Sequence, residues 1–307
     1  MKIILRLILT MLLVSFLTFA AFEVVSGDPA QTMLGTEATE EQLADLRSEL
    51  GLDRPFFQRY FTWIGGCFTG NLGTSYSYRQ PVSQLIWSKA LVSLSLCLLS
   101  FALIVLVSIP LGLVSYRYSG RFINAFRSMV NQICMAVPPF FTGIIFSWIF
   151  GIGLGLFIPG TAPGFVHLFF AAVCIAIPRI AMTVRLLRST VVSEMNKAYV
   201  RTAISRGNDR SAVLGKHVLK NSLVSVISFL GQTLAELVGG AIVVEQVMGI
   251  PGLGRFLVTS ILHRDYPVIQ AIVLILVFWV VLSGVLADLV NSILDPRLKL
   301  DGEGRTL

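Results

Sequence analysis

The sequence predicts an all-α, polytopic membrane protein with six transmembrane helices. Of its 307 residues, 55% are hydrophobic and only 13% are charged, a composition that is rare among soluble domains. Several apolar runs are long enough to cross the roughly 30 Å hydrocarbon core of a bilayer as helices. The loops between them differ in charge, and basic loops stay in the cytoplasm. With six spans and both termini in the cytoplasm, the charge of every loop agrees with the side of the membrane on which the loop is predicted to lie.

The first predicted span covers residues 7–25 and follows two basic residues. A signal peptide begins in the same way, but this run is long and no small-residue cleavage site is obvious after it. We therefore expect an uncleaved helix that ends at Gly27-Asp28-Pro29. The polar stretch from 26 to 88 has slightly more acidic than basic residues, which suits the outer face of the membrane. Within it, residues 37–51 are predicted to form a helix that ends at a glycine.

The remaining spans are predicted from five apolar runs, at residues 90–116, 129–158, 165–187, 223–248 and 267–293. The loop after the second span contains three arginines and no acid, so it lies inside. Pro138-Pro139 interrupts the third span and predicts either a kink or a broken helix beside a cavity. The chain thus divides into a first span with an outer loop (1–89), a membrane domain (90–293) and a cytoplasmic tail (294–307).

A basic stretch from Arg185 to Asn221 separates the fourth and fifth spans. It contains eight lysines and arginines against two acidic residues, which places it in the cytoplasm. Apolar residues recur at helical spacing on both sides of Gly207, so two short amphipathic helices joined at this glycine are predicted. The stretch is either a loop that only sets topology or a segment that binds a partner. The net charge of +7 follows from such loops, without any need for nucleic-acid binding.

The sequence contains no recognisable catalytic set. Its three histidines are far apart, and neither a zinc-protease motif nor a phosphate-binding loop is present. Its four cysteines form no CxxC pair that would suggest zinc. We therefore expect a non-enzymatic chain that binds no metal or other cofactor, so that any ATP and Mg²⁺ would be bound by partner subunits.

Four ionisable residues within or near the spans are the other candidates for function: Arg179, Glu236, Glu245 and Asp288. Such groups are costly in lipid, so they line a polar pathway or pair with one another. Glu245 and Asp288 lie near span ends, where an interhelical pair or contact with the interface is the simpler explanation. Both interpretations stay open for Arg179 and Glu236. The acids could also couple a secondary transporter to protons, although no inverted repeat is visible.

Several short sequence motifs occur in a fixed order. The first is GLDRPFFQRYFTWI in the predicted outer loop, followed by YVRTAISRG and KHVLKNSL in the basic stretch and by VVEQVMGIPGLGRF and HRDYPVIQ at and after the end of the fifth span. Each motif alone is weak evidence for a family. In this order they resemble the permease subunits of dipeptide, oligopeptide and nickel ABC importers, and the resemblance covers nearly the whole chain.

The resemblance implies a type I ABC importer permease (MetI-like) fold in a bacterial inner membrane. It makes residues 194–221 the cytoplasmic coupling segment, whose first short helix would bind in a groove of the ATPase. The expected partners are a second, different permease, two ABC ATPases and an extracytoplasmic binding protein, and the expected cargo is a peptide or chelated nickel. The residues it assigns to ATPase coupling are Glu194, Tyr199, Val200, Arg201, Thr202, Ala203, Ile204 and Gly207.

Overall fold

The computed structural model describes residues 2–25, 29–35, 38–118 and 120–294. All regular elements in these ranges are helical, and the only extended pairing among them is an isolated bridge between Thr74 and Pro81. The predicted all-α class is therefore confirmed. The end of the first span at Gly27-Asp28 and the tail from 295 onwards lie outside the described residues.

The described helices fall into an N-terminal group, a group of long apolar helices and a short connection between two of the long helices. They are α1 (Lys2–Val25), α2 (Pro29–Leu34), α3 (Glu40–Glu49), α4 (Phe56–Phe68), α5 (Val82–Arg117), α6 (Arg121–Ala136), α7 (Pro139–Phe146), α8 (Phe165–Met195), α9 (Ala198–Ser205), α10 (Arg210–Val213), α11 (Leu219–Met248), α12 (Leu253–Leu262) and α13 (Tyr266–Leu294). π-helical turns continue α7 through Ser147–Gly153 and join α10 to α11 through Leu214–Val218.

Four described helices are long and apolar enough to cross a membrane: Val82–Arg117, Phe165–Met195, Arg210–Met248 and Tyr266–Ile293. The bent pair of α6 and α7 brings the number to five if it counts as one span. The described apolar part of α1, Leu7–Ala21, is shorter, although α1 packs against α13. A multi-pass helical membrane protein is thus confirmed, while the count of six stays a prediction.

The third predicted span is not one continuous crossing. Its two halves, Arg121–Ala136 and Pro139–Gly153, meet at an angle of 89°. Pro138 disfavours the helical conformation of the residue before it, and Pro139 then starts α7, where a missing N–H costs nothing. The predicted break at this proline pair is present, and it is a right-angle turn between α6 and α7.

The second short helix predicted after Gly207 is not a separate element. α10 runs through the π-helical turn directly into α11, so one uninterrupted rod extends from Arg210 to Met248. The helix that contains the fifth predicted span therefore begins at Arg210, before the predicted span start at residue 223. Gly215 lies inside the rod and does not end it, because its φ is not positive and its surroundings leave open space.

The group of long apolar helices is organised around α8, which packs against α5 and α11. Small residues bring the backbones close together, as membrane interfaces commonly require. A side chain at Gly112 would overlap Leu187, and one at Gly231 would overlap Ala287 of α13. The resulting core contains buried alanines of α8, such as Ala172 and Ala176. One end of this core contacts the short helix α9.

Candidate functional site

The helix α9 is a separate, short element between two long rods. It begins after Lys197, whose backbone is extended, and it ends at Gly207, which has a φ of +87°. The N–H of Gly207 donates to the carbonyl of Ile204 at 2.9 Å, and the N–H of Asn208 donates to that of Ala203 at 3.3 Å. These two bonds form a Schellman motif, which requires a left-handed residue that glycine adopts without steric cost. The left-handed stop predicted at Gly207 is therefore present.

One face of α9 is packed against the protein itself. Val200 is fully buried and belongs to the same hydrophobic cluster as Val213 and Val218, while Ala203 is partly buried against that cluster. Ile204, in contrast, is 42% exposed. The apolar residues of α9 are therefore divided between two faces. Ala203, which the resemblance assigns to ATPase coupling, packs against this chain's own core.

The outward face of α9 carries Tyr199, Arg201, Thr202 and Ile204, all of them exposed. It presents one aliphatic side chain within a polar surface. This is the part of the predicted coupling segment that remains open to a partner.

Tyr199 connects α9 to both neighbouring rods. Its hydroxyl donates to Glu194 Oε2 at 2.9 Å near the end of α8, and it accepts from Asn221 Nδ2 at 3.2 Å at the start of α11. Partial burial raises the pKa of Tyr199, which keeps the phenol protonated and able to donate. Glu194 also forms an ion pair with Lys197. α9 is therefore joined to α8 and α11 by hydrogen bonds as well as by packing.

Arg179 and Glu236, two of the four predicted intramembrane residues, are brought together. They form an ion pair between α8 and α11, and Gln232 Nε2 donates to Glu236 Oε1 at 3.2 Å. The side chain of Arg179 is 26% exposed and that of Glu236 is 40% exposed. The pair therefore lies on a face of the chain that other subunits, water or lipid can reach.

Glu245 has a different environment and is completely buried. Its carboxylate accepts hydrogen bonds from Ser93 Oγ at 2.6 Å, from the Gly254 N–H at 2.7 Å and from the Arg255 N–H at 3.3 Å. The two amides belong to the first turn of α12, whose partial positive charge favours an anion. Side chains at Gly252 or Gly254 would overlap the space that Glu245 and its helix occupy. This arrangement agrees with the structural interpretation of Glu245 and gives it no pathway role.

Asp288 is separate from the other three candidates. It is exposed on α13, and no described residue forms a hydrogen bond or an ion pair with it. The four charges therefore form one pair, one buried anchor and one isolated carboxylate, and they do not converge on a single site.

Sequence reasoning missed the role of Asp265. Its buried carboxylate accepts from Ser75 Oγ at 2.5 Å and from the N–H groups of Tyr76 and Ser77 at 3.1 and 3.2 Å. It thereby fastens the outer hairpin at residues 74–81 to the turn between α12 and α13. Asp265 lies within the motif HRDYPVIQ. Its hydrogen-bond partners are about 190 positions away in the sequence, so the neighbouring residues do not indicate the contact.

The outer domain also encloses a cavity of about 610 Å³ beside the first turn of α13. Its lining mixes arginines, acids and aromatic rings, among them Arg54, Asp53, Trp63 and Tyr266. Within the described residues, no group of three or more histidine, cysteine, aspartate or glutamate side chains could hold a metal ion.

The comparisons with known proteins agree along almost the whole chain. Residues 108–300 match the family described as binding-protein-dependent transport system inner membrane component, and residues 1–97 match the N-terminal region of such components. A putative peptide transport system permease of Brucella abortus is 36% identical over 302 residues, which cover 95% of each chain. The glutathione transport system permease GsiC of Salmonella paratyphi A is 32% identical and covers 97% of this chain and 98% of its own.

The fold has a solved counterpart as well. An inward-facing structure of the MetNI methionine ABC transporter superposes with a TM-score of 0.57 at 18% identity, covering 69% of this chain and 97% of the other. At that identity the match concerns the fold alone. It supports the predicted MetI-like arrangement of the membrane helices.

Proposed function

Because this chain belongs to the family of binding-protein-dependent transport system inner membrane components, we propose that it forms one half of the pathway of an ATP-driven importer. The chain is a multi-pass membrane permease of the ABC transporter class. A second, different permease completes the pathway, two ABC ATPases bind the cytoplasmic face, and an extracytoplasmic protein delivers the cargo. ATP and Mg²⁺ bind to the ATPases, and both termini of this chain lie in the cytoplasm.

The geometry of α9 is the observation that supports this proposal most directly. A short helix stands apart from the spans, its inner face is fixed by Val200, and its outer face is exposed. Tyr199 ties it to α8 and α11, which carry the Arg179–Glu236 pair further along. A partner that displaces α9 therefore moves two spans together.

Alternating access follows from this connection. When the ATPases close on ATP, they carry α9 with them, and α8 and α11 follow because their hydrogen bonds and packing with α9 are maintained. The cavity between the two permeases then opens outward. ATP hydrolysis separates the ATPases and returns the spans to the inward-open arrangement.

The cargo class is peptide. Relatives of 36% and 32% identity over nearly the full length carry peptide or glutathione in their names. The remaining alternative is a nickel chelate. It would also enter as a small polar solute, so a permease of this kind need not ligate the metal itself.

A proton-coupled secondary transporter is disfavoured by the partners of the two candidate glutamates. Glu236 forms an ion pair with Arg179, and the side chain of Glu245 is completely buried, where it accepts hydrogen bonds from three donors. A carboxylate that carries protons across a membrane needs alternating contact with water on both sides. The exposed carboxylates of the set are Asp288 and Glu236, and Glu236 is held in the ion pair with Arg179.

The test is reconstitution of the chain in liposomes with its co-expressed permease and ATPases and with the binding protein added outside. We expect ATP-dependent uptake of di- or tripeptides that requires the binding protein. Uptake of nickel–histidine chelate but not peptide would change the cargo class. Uptake driven by a pH gradient without ATP would overturn the proposal.

A further inference from the structure

Two arginines at one end of the group of long apolar helices share the same neutral acceptors. Arg127 of α6 donates from Nη1 to the Ser115 carbonyl at 2.6 Å and from Nη2 to Asn124 Oδ1 at 2.6 Å. Arg188 of α8 donates to the same two oxygens, both at 3.3 Å. The two guanidinium groups therefore lie side by side where α5, α6 and α8 meet.

This arginine pair has no acidic partner among the described residues. Neither side chain forms an ion pair there, and each charge repels the other. A guanidinium carries five N–H donors, of which each arginine uses two here. The Ser115 carbonyl belongs to the last turn of α5, where a cation is favourable, but one carbonyl and one amide oxygen do not neutralise two full charges. The remaining donors fit an anion.

The helix that carries Arg127 has the character of an interfacial helix. α6 meets α7 at 89°, so it lies along the membrane surface if α7 enters the bilayer. One of its faces contacts α8. A neighbouring face exposes large apolar side chains, namely Phe122 at 89%, Phe126 at 63%, Met129 at 55%, Val130 at 40% and Ile133 at 52%. Such a face is suited to acyl chains, and it lies next to the arginine pair.

We propose that Arg127 and Arg188 bind the phosphate of an anionic phospholipid of the inner leaflet, with its acyl chains against the apolar face of α6. Basic sites between transmembrane helices on the cytoplasmic side commonly take such headgroups. The bound phosphate supplies the missing negative charge and holds α6 against α5 and α8. The proposal uses the cytoplasmic location of the loop before α6, but not the transport activity.

The test compares full-length chain, extracted with the subunits that co-purify with it, in nanodiscs of phosphatidylcholine alone or with phosphatidylglycerol added. We expect phosphatidylglycerol to raise the thermal unfolding midpoint and to remain bound in native mass spectrometry. Arg127→Gln and Arg188→Gln should each weaken this retention about fivefold, whereas Lys216→Gln, which removes an exposed charge elsewhere on the same side, should not change it. Inorganic phosphate added to the phosphatidylcholine discs should not reproduce the effect.

The variants Arg127→Lys and Arg188→Lys keep the charge if glutamine at either position prevents folding. They should retain more phosphatidylglycerol than the glutamine variants, because a lysine still attracts the phosphate. Equal unfolding midpoints of the unmodified chain in the two kinds of nanodisc would overturn the proposal. Full stabilisation by inorganic phosphate would assign the site to a free anion instead, and so would exclude the lipid.

Discussion

Arg179 and Glu236 form an ion pair across the interface of α8 and α11, the two rods that Tyr199 connects to α9 at the cytoplasmic end. Both side chains remain partly exposed. The ion pair links the two helices, and it can be reached by water, lipid or another subunit. It is the one place where two of the charges singled out in the sequence meet.

Glu236→Gln should alter transport while leaving the complex assembled. The substitution leaves Arg179 without its counter-charge, but Gln232 and the new amide can still hydrogen-bond nearby. A double-mutant cycle with Arg179→Gln should give a coupling energy of about 0.6–1.7 kcal/mol, the range for polar pairs between membrane helices. Uptake in liposomes and thermal unfolding are the two measurements. If uptake by Glu236→Gln is unchanged, the ion pair serves only the packing of the two helices.

Gly207→Val should uncouple the permease from its ATPases. The φ of +87° is unfavourable for a β-branched residue by about 1–2 kcal/mol, although the space around the glycine is open. The end of α9 would therefore shift without a steric clash. Gly215→Val is the matched control, since Gly215 also faces open space but has no positive φ. ATPase co-purification and substrate-stimulated ATP hydrolysis should fall in the first variant only.

Ile204→Asp should weaken ATPase binding without unfolding the permease. Ile204 is the exposed apolar residue of α9, so a charge there is tolerated by this chain but not by an apolar contact in a partner. Ala203→Asp, in contrast, should lower the unfolding midpoint, because Ala203 is packed against the chain's own core. If both variants bind the ATPase normally, α9 is not the docking element.

Glu245→Ala should destabilise the protein more than Glu245→Gln. The alanine variant leaves the Ser93 hydroxyl and the Gly254 and Arg255 amides without their acceptor, and each buried unsatisfied group costs about 1–3 kcal/mol. Glutamine keeps one of the two acceptor oxygens. Thermal unfolding in one detergent would rank the variants. Equal midpoints for alanine and the unmodified chain would contradict the assigned anchoring role.

Labelling of Cys67 tests the predicted topology and should depend strongly on pH. Burial raises the pKa of this thiol to about 11, and the thiolate is the form that reacts. The labelling rate by an impermeant maleimide in intact cells should therefore rise about tenfold per pH unit below that value. The other three cysteines are replaced by serine in this experiment. Reaction only after permeabilisation would place the outer loop inside.

The sequence was sufficient to predict those elements that are determined by their own residues. Apolar length located the four long helices that can cross a membrane, and Gly207 located the end of α9, because a left-handed stop depends on the glycine itself. The right-angle turn at Pro138 was only partly predictable. A proline pair predicts a break in the helix, but the angle between α6 and α7 depends on how α6 packs against α8.

The site was less predictable because its partners are distant along the chain. Glu245 attracted attention as a charge in a span, yet its role depends on Ser93, about 150 positions earlier. Asp265 and the Arg127–Arg188 contact gave no signal at all, since single polar residues at the ends of spans are common. The inward position of Ala203 was not predictable, because helical spacing alone cannot decide which side of a short amphipathic helix packs against its own protein.

The hydrogen bonds to Asp265 attach the hairpin at residues 74–81 to the turn that precedes α13. The hairpin cannot shift without pulling on the turn before α13, and α13 in turn packs along α11. The hairpin and α9 therefore contact opposite ends of the same helix pair, the hairpin at the turn before α13 and α9 through Asn221 at the start of α11. In the proposed importer, a displacement at either contact would reach the same two helices.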